Sequence, residues 1–200
     1  MNRSAMPRTL VAALLPVLLA ACQAQSTAPA GDPPLAGAAI GGPFELVNSK
    51  GETVRWSDFD GKYRMLYFGY AYCPDVCPLD VQRMMRGHAQ FKQAHPDLAA
   101  EIVPIFITID PQRDTPEVVA QFTSAFSDDL VGLTGTPEQI DQAAKAFAVY
   151  YARGQGSDTN YLMDHSRGAF LMGRQGEPIA LLPVEESPEA VAAELGKWVR

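Results

Sequence analysis

Apolar and polar residues fall along this chain in blocks of two lengths. Residues 64–70 (RMLYFGY) and 102–109 (IVPIFITI) are near-continuous apolar runs of strand length, each flanked by turn or polar residues. That is the pattern of buried strands. Pro104 lies inside the second run and predicts a late start or a bulge there. Between Pro78 and Gln93, Val81, Met84, Met85, His88 and Phe91 recur at helical spacing, and 116–126, 137–150 and 188–199 are also helix-like. Two pairs of short apolar segments read as hairpins. One joins 44–47 to 53–54 around "NSKGE", and the other joins 169–172 to 178–182 around "GRQGE". Strands and helices in this order predict an α/β fold, with a central mixed sheet, helices on both faces and an N-terminal hairpin.

Three helix starts share one local design. Thr115-Pro-Glu, Thr136-Pro-Glu and Ser187-Pro-Glu each place a hydroxyl at the N-cap, proline in the first turn and an acid beside the helix dipole. The helix after residue 77 breaks the rule, because Cys77 precedes Pro78 where the others have Thr or Ser. A thiol caps poorly, and such local breaks mark functional sites. A helix N-terminus favours thiolate over thiol, which is the nucleophilic and metal-binding form.

Cys73 lies four residues earlier, at the C-terminal end of a predicted strand, in "GYAYCPDVCP". Thiols at this spacing can close as a disulfide or open around a metal. A loop this short removes little unfolded-state entropy, so a purely stabilising bridge has little to recommend it. The prolines at 74 and 78 stiffen the turn.

The third cysteine belongs to a different segment. Residues 1–9 carry Arg3 and Arg8 and no acid, and residues 10–21 are apolar and end in small residues. This reads as a signal peptide over 1–21 rather than a mature spanning helix. Its close, Leu19-Ala20-Ala21-Cys22, resembles the lipobox of bacterial lipoproteins, which makes Cys22 the expected lipidation site. Residues 22–39 then form a lipidated cysteine and an Ala/Pro/Gly-rich tether, with a reach of roughly 50 Å. Residues 40–200 form one folded domain. Export implies an oxidising, periplasm-facing compartment in the bacterial cell envelope. Loss of the signal leaves 14 basic and 23 acidic residues, a net charge of -9 with no basic cluster, which excludes nucleic acid as an expected partner.

Two thiolates do not complete most metal sites, and the chain has three histidines. His88 falls on the apolar helix face and reads as core. His95 stands at that helix's end. His165 lies in the polar segment Asp164-His165-Ser166, feeding the final hairpin. Spacing alone does not select it as a ligand. Met84, Met85, Met163 and Met172 read as core fillers, and Asp110 as a strand-end residue with a capping or hydrogen-bonding role.

Three blocks, "YFGYAYCPDVCP" (67–78), "ITIDPQRDTP" (107–116) and "YLMDHS" (161–166), resemble the signature segments of the SCO/SenC family, in order and at the right separation. The resemblance spans about residues 41–200. It implies a thioredoxin-like fold and a copper site, as Cu(I) or Cu(II), made by Cys73, Cys77 and His165. Asp110 and Asp164 would support that site by hydrogen bonds. It also implies a role in assembling the CuA centre of cytochrome c oxidase. The CuA-bearing subunit, a periplasmic thiol reductant and an upstream copper donor are then the expected partners. Soft thiolates and an imidazole suit copper, whereas a closed zinc site wants a fourth protein ligand. The same cysteines would alternatively serve as the redox couple of a thiol–disulfide oxidoreductase that keeps the CuA cysteines reduced. Whether the chain is an enzyme therefore stays open at this point. In this sequence Ala71-Tyr72 replaces the family's common Thr-His or Thr-Tyr, and Arg167-Gly168 interrupts a usually apolar stretch, predicting a looser approach to the hairpin.

Overall fold

A computed structural model of the chain describes Met1 and residues 31–200. Cys22, the signal segment and most of the tether lie outside the described residues. The core is a seven-stranded mixed sheet in the order β2-β1-β5-β4-β3-β8-β9. Its strands are β1 (Glu45–Asn48), β2 (Thr53–Arg55), β3 (Tyr63–Gly69), β4 (Ile102–Thr108), β5 (Val131–Thr134), β8 (Ala169–Met172) and β9 (Pro178–Leu182). The two long apolar runs become the central parallel pair β3–β4, flanked by β5 and β8. Every residue of β3 is buried, which is why its sequence shows no alternation. Pro104 neither delays nor bulges β4, correcting that expectation. It pairs with Met65 of β3, while pairing with β5 begins only at Ile105, leaving Pro104 a free side where a missing N–H costs little.

Helices cover both faces, as expected for an α/β sheet. They are α1 (Val76–Ala94), the short α2 (Pro96–Ala99), α3 (Pro116–Ser124), α4 (Pro137–Ala146) and α5 (Pro188–Trp198). On one face Tyr67 stacks beside Phe106 and reaches Asp80 of α1, and Phe106 meets Phe122 of α3. On the other, Phe68, Phe147 and Phe170 form a cluster that Trp56 extends. Helix α5 lies so close to α1 that a Cβ on Gly87 would stand 2.6 Å from that of Val191. The three hydroxyl caps form as designed: Thr115, Thr136 and Ser187 accept from the backbone N–H groups of Val118, Gln139 and Ala190.

One element was not legible in the pattern. After α4 the chain passes through Ala148 in the left-handed region (φ 53°) and forms a separate two-stranded sheet. Its strands are β6 (Tyr151–Gly156) and β7 (Tyr161–His165). A bulge interrupts their pairing between Arg153 and Gly156. Gly156 (φ 143°) is required there, because a Cβ would lie 2.2 Å from the Asn160 carbonyl oxygen. His165 thus ends a strand of its own, opposite Tyr151, instead of leading directly into the final hairpin. At the far end of the domain, the Leu35 N–H donates to the Ile179 carbonyl of edge strand β9 (3.0 Å), so the segment before residue 40 touches the fold there.

Candidate metal and thiol site

The buried strand β3 ends at Gly69, and the chain turns through Tyr70 and Cys73 into α1. Helix α1 starts two residues earlier than the proline suggested. Asp75 is the N-cap, Cys77 sits in the first turn, and Pro78 follows where backbone N–H groups lack helical partners anyway. No oxygen caps this helix. The sulfur of Cys73 takes that place, accepting the Cys77 backbone N–H at 3.3 Å. Cys77 itself is fully buried and Cys73 partly so, and both are free thiols.

The electrostatics of the pair follow, with a reversal of the expected order. The Cys73 thiol is lowered to about 5, first by the hydrogen bond from the Cys77 thiol. The Asp75 and Cys77 amides and the Tyr70 hydroxyl add to the effect, against the opposing cost of burial. The Cys77 thiol is pushed up, because its proton is shared with Cys73 and because it is buried. The activated thiol is therefore Cys73 rather than Cys77, through the Cys77 thiol with help from the first amides of the helix. Burial also raises the Tyr70 phenol to about 12, so it stays protonated and able to donate to Cys73.

His165 arrives from a point 88 residues further along the chain. Its Nδ1 lies 2.8 Å from the Ser166 carbonyl oxygen. A carbonyl only accepts, so Nδ1 carries the proton and Nε2 presents its lone pair. That Nε2 stands 3.5 Å from Cys77 Sγ. An ion about 2.3 Å from sulfur and about 2.0 Å from nitrogen would see this edge at an angle of about 109°. The Cys77–His165 edge therefore fits a single metal ion. Among the described residues, no three His, Cys, Asp or Glu side chains are already gathered about one point. The Cys73 sulfur is engaged with the helix start instead, through the Cys77 backbone N–H. Cys73 and His165 open onto a cleft of about 580 Å³ that Tyr70, Val76, Tyr150 and Met163 help to line, while Cys77 is fully buried. At its walls Val76, Tyr150 and Leu162 expose apolar side chains.

The base of the β6–β7 sheet is tied by reciprocal bonds, Tyr150 N–H to Ser166 Oγ and Ser166 N–H to the Tyr150 carbonyl. The segment after His165 is not loose, contrary to expectation. Arg167 forks onto the buried Asp80 carboxylate of α1, with Nε to Oδ2 at 2.6 Å and Nη2 to Oδ1 at 2.5 Å. Asp110 is buried and touches no thiol. It accepts from Tyr161 of β7 (2.7 Å) and from Arg113 (2.6 Å), so its hydrogen bonds support the strand that carries His165. Asp164 is exposed, lines the same cleft, and among the described residues forms no hydrogen bond to either cysteine or to His165. His88 is buried on α1, His95 packs on Phe91, and all four methionines in question are buried.

Sequence reasoning missed Arg113, Asp114 and Arg167. Asp114 is fully buried, accepts from Thr108 and from the Ala71 N–H, and is raised to about 6 chiefly by burial. The only signal for it was its place in "DPQRDTP".

Comparison with known proteins agrees with the block pattern. The SCO1/SenC family model matches residues 32–200. Protein SenC of Rhodobacter capsulatus is 42% identical over 165 residues, covering 80% of this chain and 71% of that one. The human mitochondrial SCO1 homolog is 38% identical over 162 residues, which is 80% of this chain but 53% of its own length. Among solved structures, Arabidopsis thaliana ScoI with copper bound superposes with a TM-score of 0.74 at 33% identity, covering 79% of this chain and 96% of that one.

Proposed function

The chain belongs to the SCO1/SenC family, and from that premise we propose that it is a copper chaperone. It binds one copper ion through Cys73, Cys77 and His165 and delivers it to the CuA centre of cytochrome c oxidase during assembly. The observation that carries this reading is the 3.5 Å approach of His165 Nε2 to Cys77 Sγ, with the ring's other nitrogen held by a carbonyl. Disulfide exchange needs an attacking thiolate and a resolving thiol and does not require an imidazole. Copper is supported by the soft donor set and by the copper held in the Arabidopsis relative. The cleft suits cargo that must leave again. Two donors are set on rigid elements, and the third, Cys73, has an alternative partner in the helix amides that it can take up on release.

A second reading is favoured by the inverted acidities. Cys73 is a thiolate at neutral pH and Cys77 is not. Cys73 would attack a disulfide of the CuA site, and Cys77 would then resolve the mixed disulfide. The target leaves as a dithiol and Cys73–Cys77 becomes the disulfide. A periplasmic thiol reductant returns the pair to the reduced state, and an upstream copper donor loads it. Lipid at Cys22 would hold the domain at a bacterial membrane, facing the periplasm, a placement that the lipobox-like LAAC supports.

The experiment is an exchange between separable partners. Copper(I)-loaded protein is mixed with a reduced, metal-free CuA domain, and the copper content of each is measured after separation. Copper found on the oxidase domain supports delivery. Copper remaining on this protein, with thiols appearing on an oxidised CuA domain as Cys73 and Cys77 of the metal-free protein become a disulfide, would replace delivery by reduction.

A further inference from the structure

We infer that Arg113 is a positioning residue for copper binding, clamping the strand that carries His165 to the loop that carries Cys73. The inference rests on the proposed ligand set. Arg113 lies in the turn between β4 and α3, and its sequence position announces no such role. In the fold it is a hub. Its Nε donates to the buried Asp110 carboxylate at 2.6 Å, whose other oxygen accepts the Tyr161 hydroxyl at 2.7 Å. Its guanidinium lies 3.6 Å from the Tyr161 ring centre, 5.0 Å from Tyr72 and 5.8 Å from Tyr70. Tyr161 opens β7, the strand that His165 ends. Tyr72 immediately precedes Cys73. Tyr70 stands edge-on to His165 at 6.1 Å. One planar cation therefore touches both donor-bearing segments at once, and neither segment belongs to the other's sheet.

This hub is where positional control of His165 is needed. The β6–β7 ribbon has two strands and a bulge, and two-stranded ribbons are marginal alone. The reciprocal Tyr150–Ser166 bonds and Arg167 hold the ribbon's base, and the Tyr161–Asp110–Arg113 chain ties the start of β7 to the central sheet's loops. The Nη2 of Arg113 is buried and, among the described residues, finds no hydrogen-bond partner. A side chain serving stability alone has little reason to accept that cost. Lysine would keep the charge but lose both the fork and the flat face that stacks on tyrosine.

The test compares the reduced wild type with Arg113→Lys, His165→Ala and the double variant, in competition with a Cu(I) chelator. Loss of groups that orient a metal ligand costs about 10- to 100-fold in affinity, and Arg113→Lys should fall in that range. Because Arg113 acts through His165, the double variant should bind no more weakly than His165→Ala. A metal-free readout accompanies it. Amide exchange at Tyr161, Met163 and His165 should quicken in Arg113→Lys while that of β3 and β4 stays unchanged. Unaltered affinity, multiplying losses in the double variant, or unaltered exchange would each overturn the inference. If His165→Ala alone leaves binding intact, the ligand set has failed instead, and the exchange data still decide for or against the clamp. Should Arg113→Lys not fold, Tyr161→Phe removes one hydroxyl from the same chain and is read identically.

Discussion

Replacing Arg167 with methionine isolates the contact that pins the segment after His165 to α1. Asp80 is fully buried, while the Arg167 side chain is 43% exposed. Breaking a fully buried pair by removing one partner costs about 3–5 kcal/mol, because the remaining charge is stranded. Half of this pair already faces water, which argues for a lower value. Tyr67 remains on Asp80 at 3.1 Å, and Arg83, now 3.9 Å away, can move closer. We therefore expect a loss of about 2 kcal/mol, seen as a fall in melting temperature of roughly 4–8 °C for a domain of this size. The assay is thermal and urea denaturation of the reduced, metal-free protein. Adding Asp80→Asn to Arg167→Met should recover part of the loss, since no charge is then buried without a partner. A loss below about 0.5 kcal/mol, the range of an ordinary surface pair, would refute the argument. So would an Asp80→Asn change that only adds to the damage.

Three further outcomes follow from the same geometry. Alkylation of Cys73 should rise with pH about a midpoint near 5 and be complete by neutral pH, while Cys77 stays unreactive; a shared midpoint near 9 would contradict the acidities described. The lowered Cys73 also links folding to pH. Its contribution is complete above the ordinary thiol value of 9 and is lost as pH falls toward about 5. Between pH 7 and 8.5 the reduced protein should accordingly gain stability, in a urea series that loses this slope in Cys73→Ala. Gly87→Ala should cost about 1–3 kcal/mol by overpacking α1 against α5, although alanine is the better helix former; a stabilised protein would show that the helices separate freely.

How much of this was readable beforehand depends on how local the cause was. The runs at 64–70 and 102–109 announced buried strands because both faces of β3 and β4 are covered, and the Thr/Ser-Pro-Glu starts capped their helices as written. The α/β sheet with helices on both faces is the observed architecture. The ribbon at 151–165 escaped notice because "YARGQG" has no clean alternation, and a sheet of two strands packed at the edge of a fold imposes little. Missing it placed His165 one element too late. The helix-start anomaly was correctly located but misassigned. Proline at 78 argued for a start at Cys77, whereas the cap is a sulfur four residues earlier, which no side-chain rule for oxygen caps would suggest. Arg113 pairs locally with Asp110, but its stacking on Tyr161, Tyr72 and Tyr70 and the fork of Arg167 on Asp80 span 40 or more residues, and nothing local in the sequence records those contacts.

The most direct test of the account is a Cu(I) titration of the reduced protein against a competing chelator, with His165→Ala beside it. The account predicts one tightly held copper per chain, and at least about tenfold weaker binding once the imidazole is gone. Weak binding that is indifferent to His165 would contradict it, and would leave Cys73 and Cys77 as a redox pair alone.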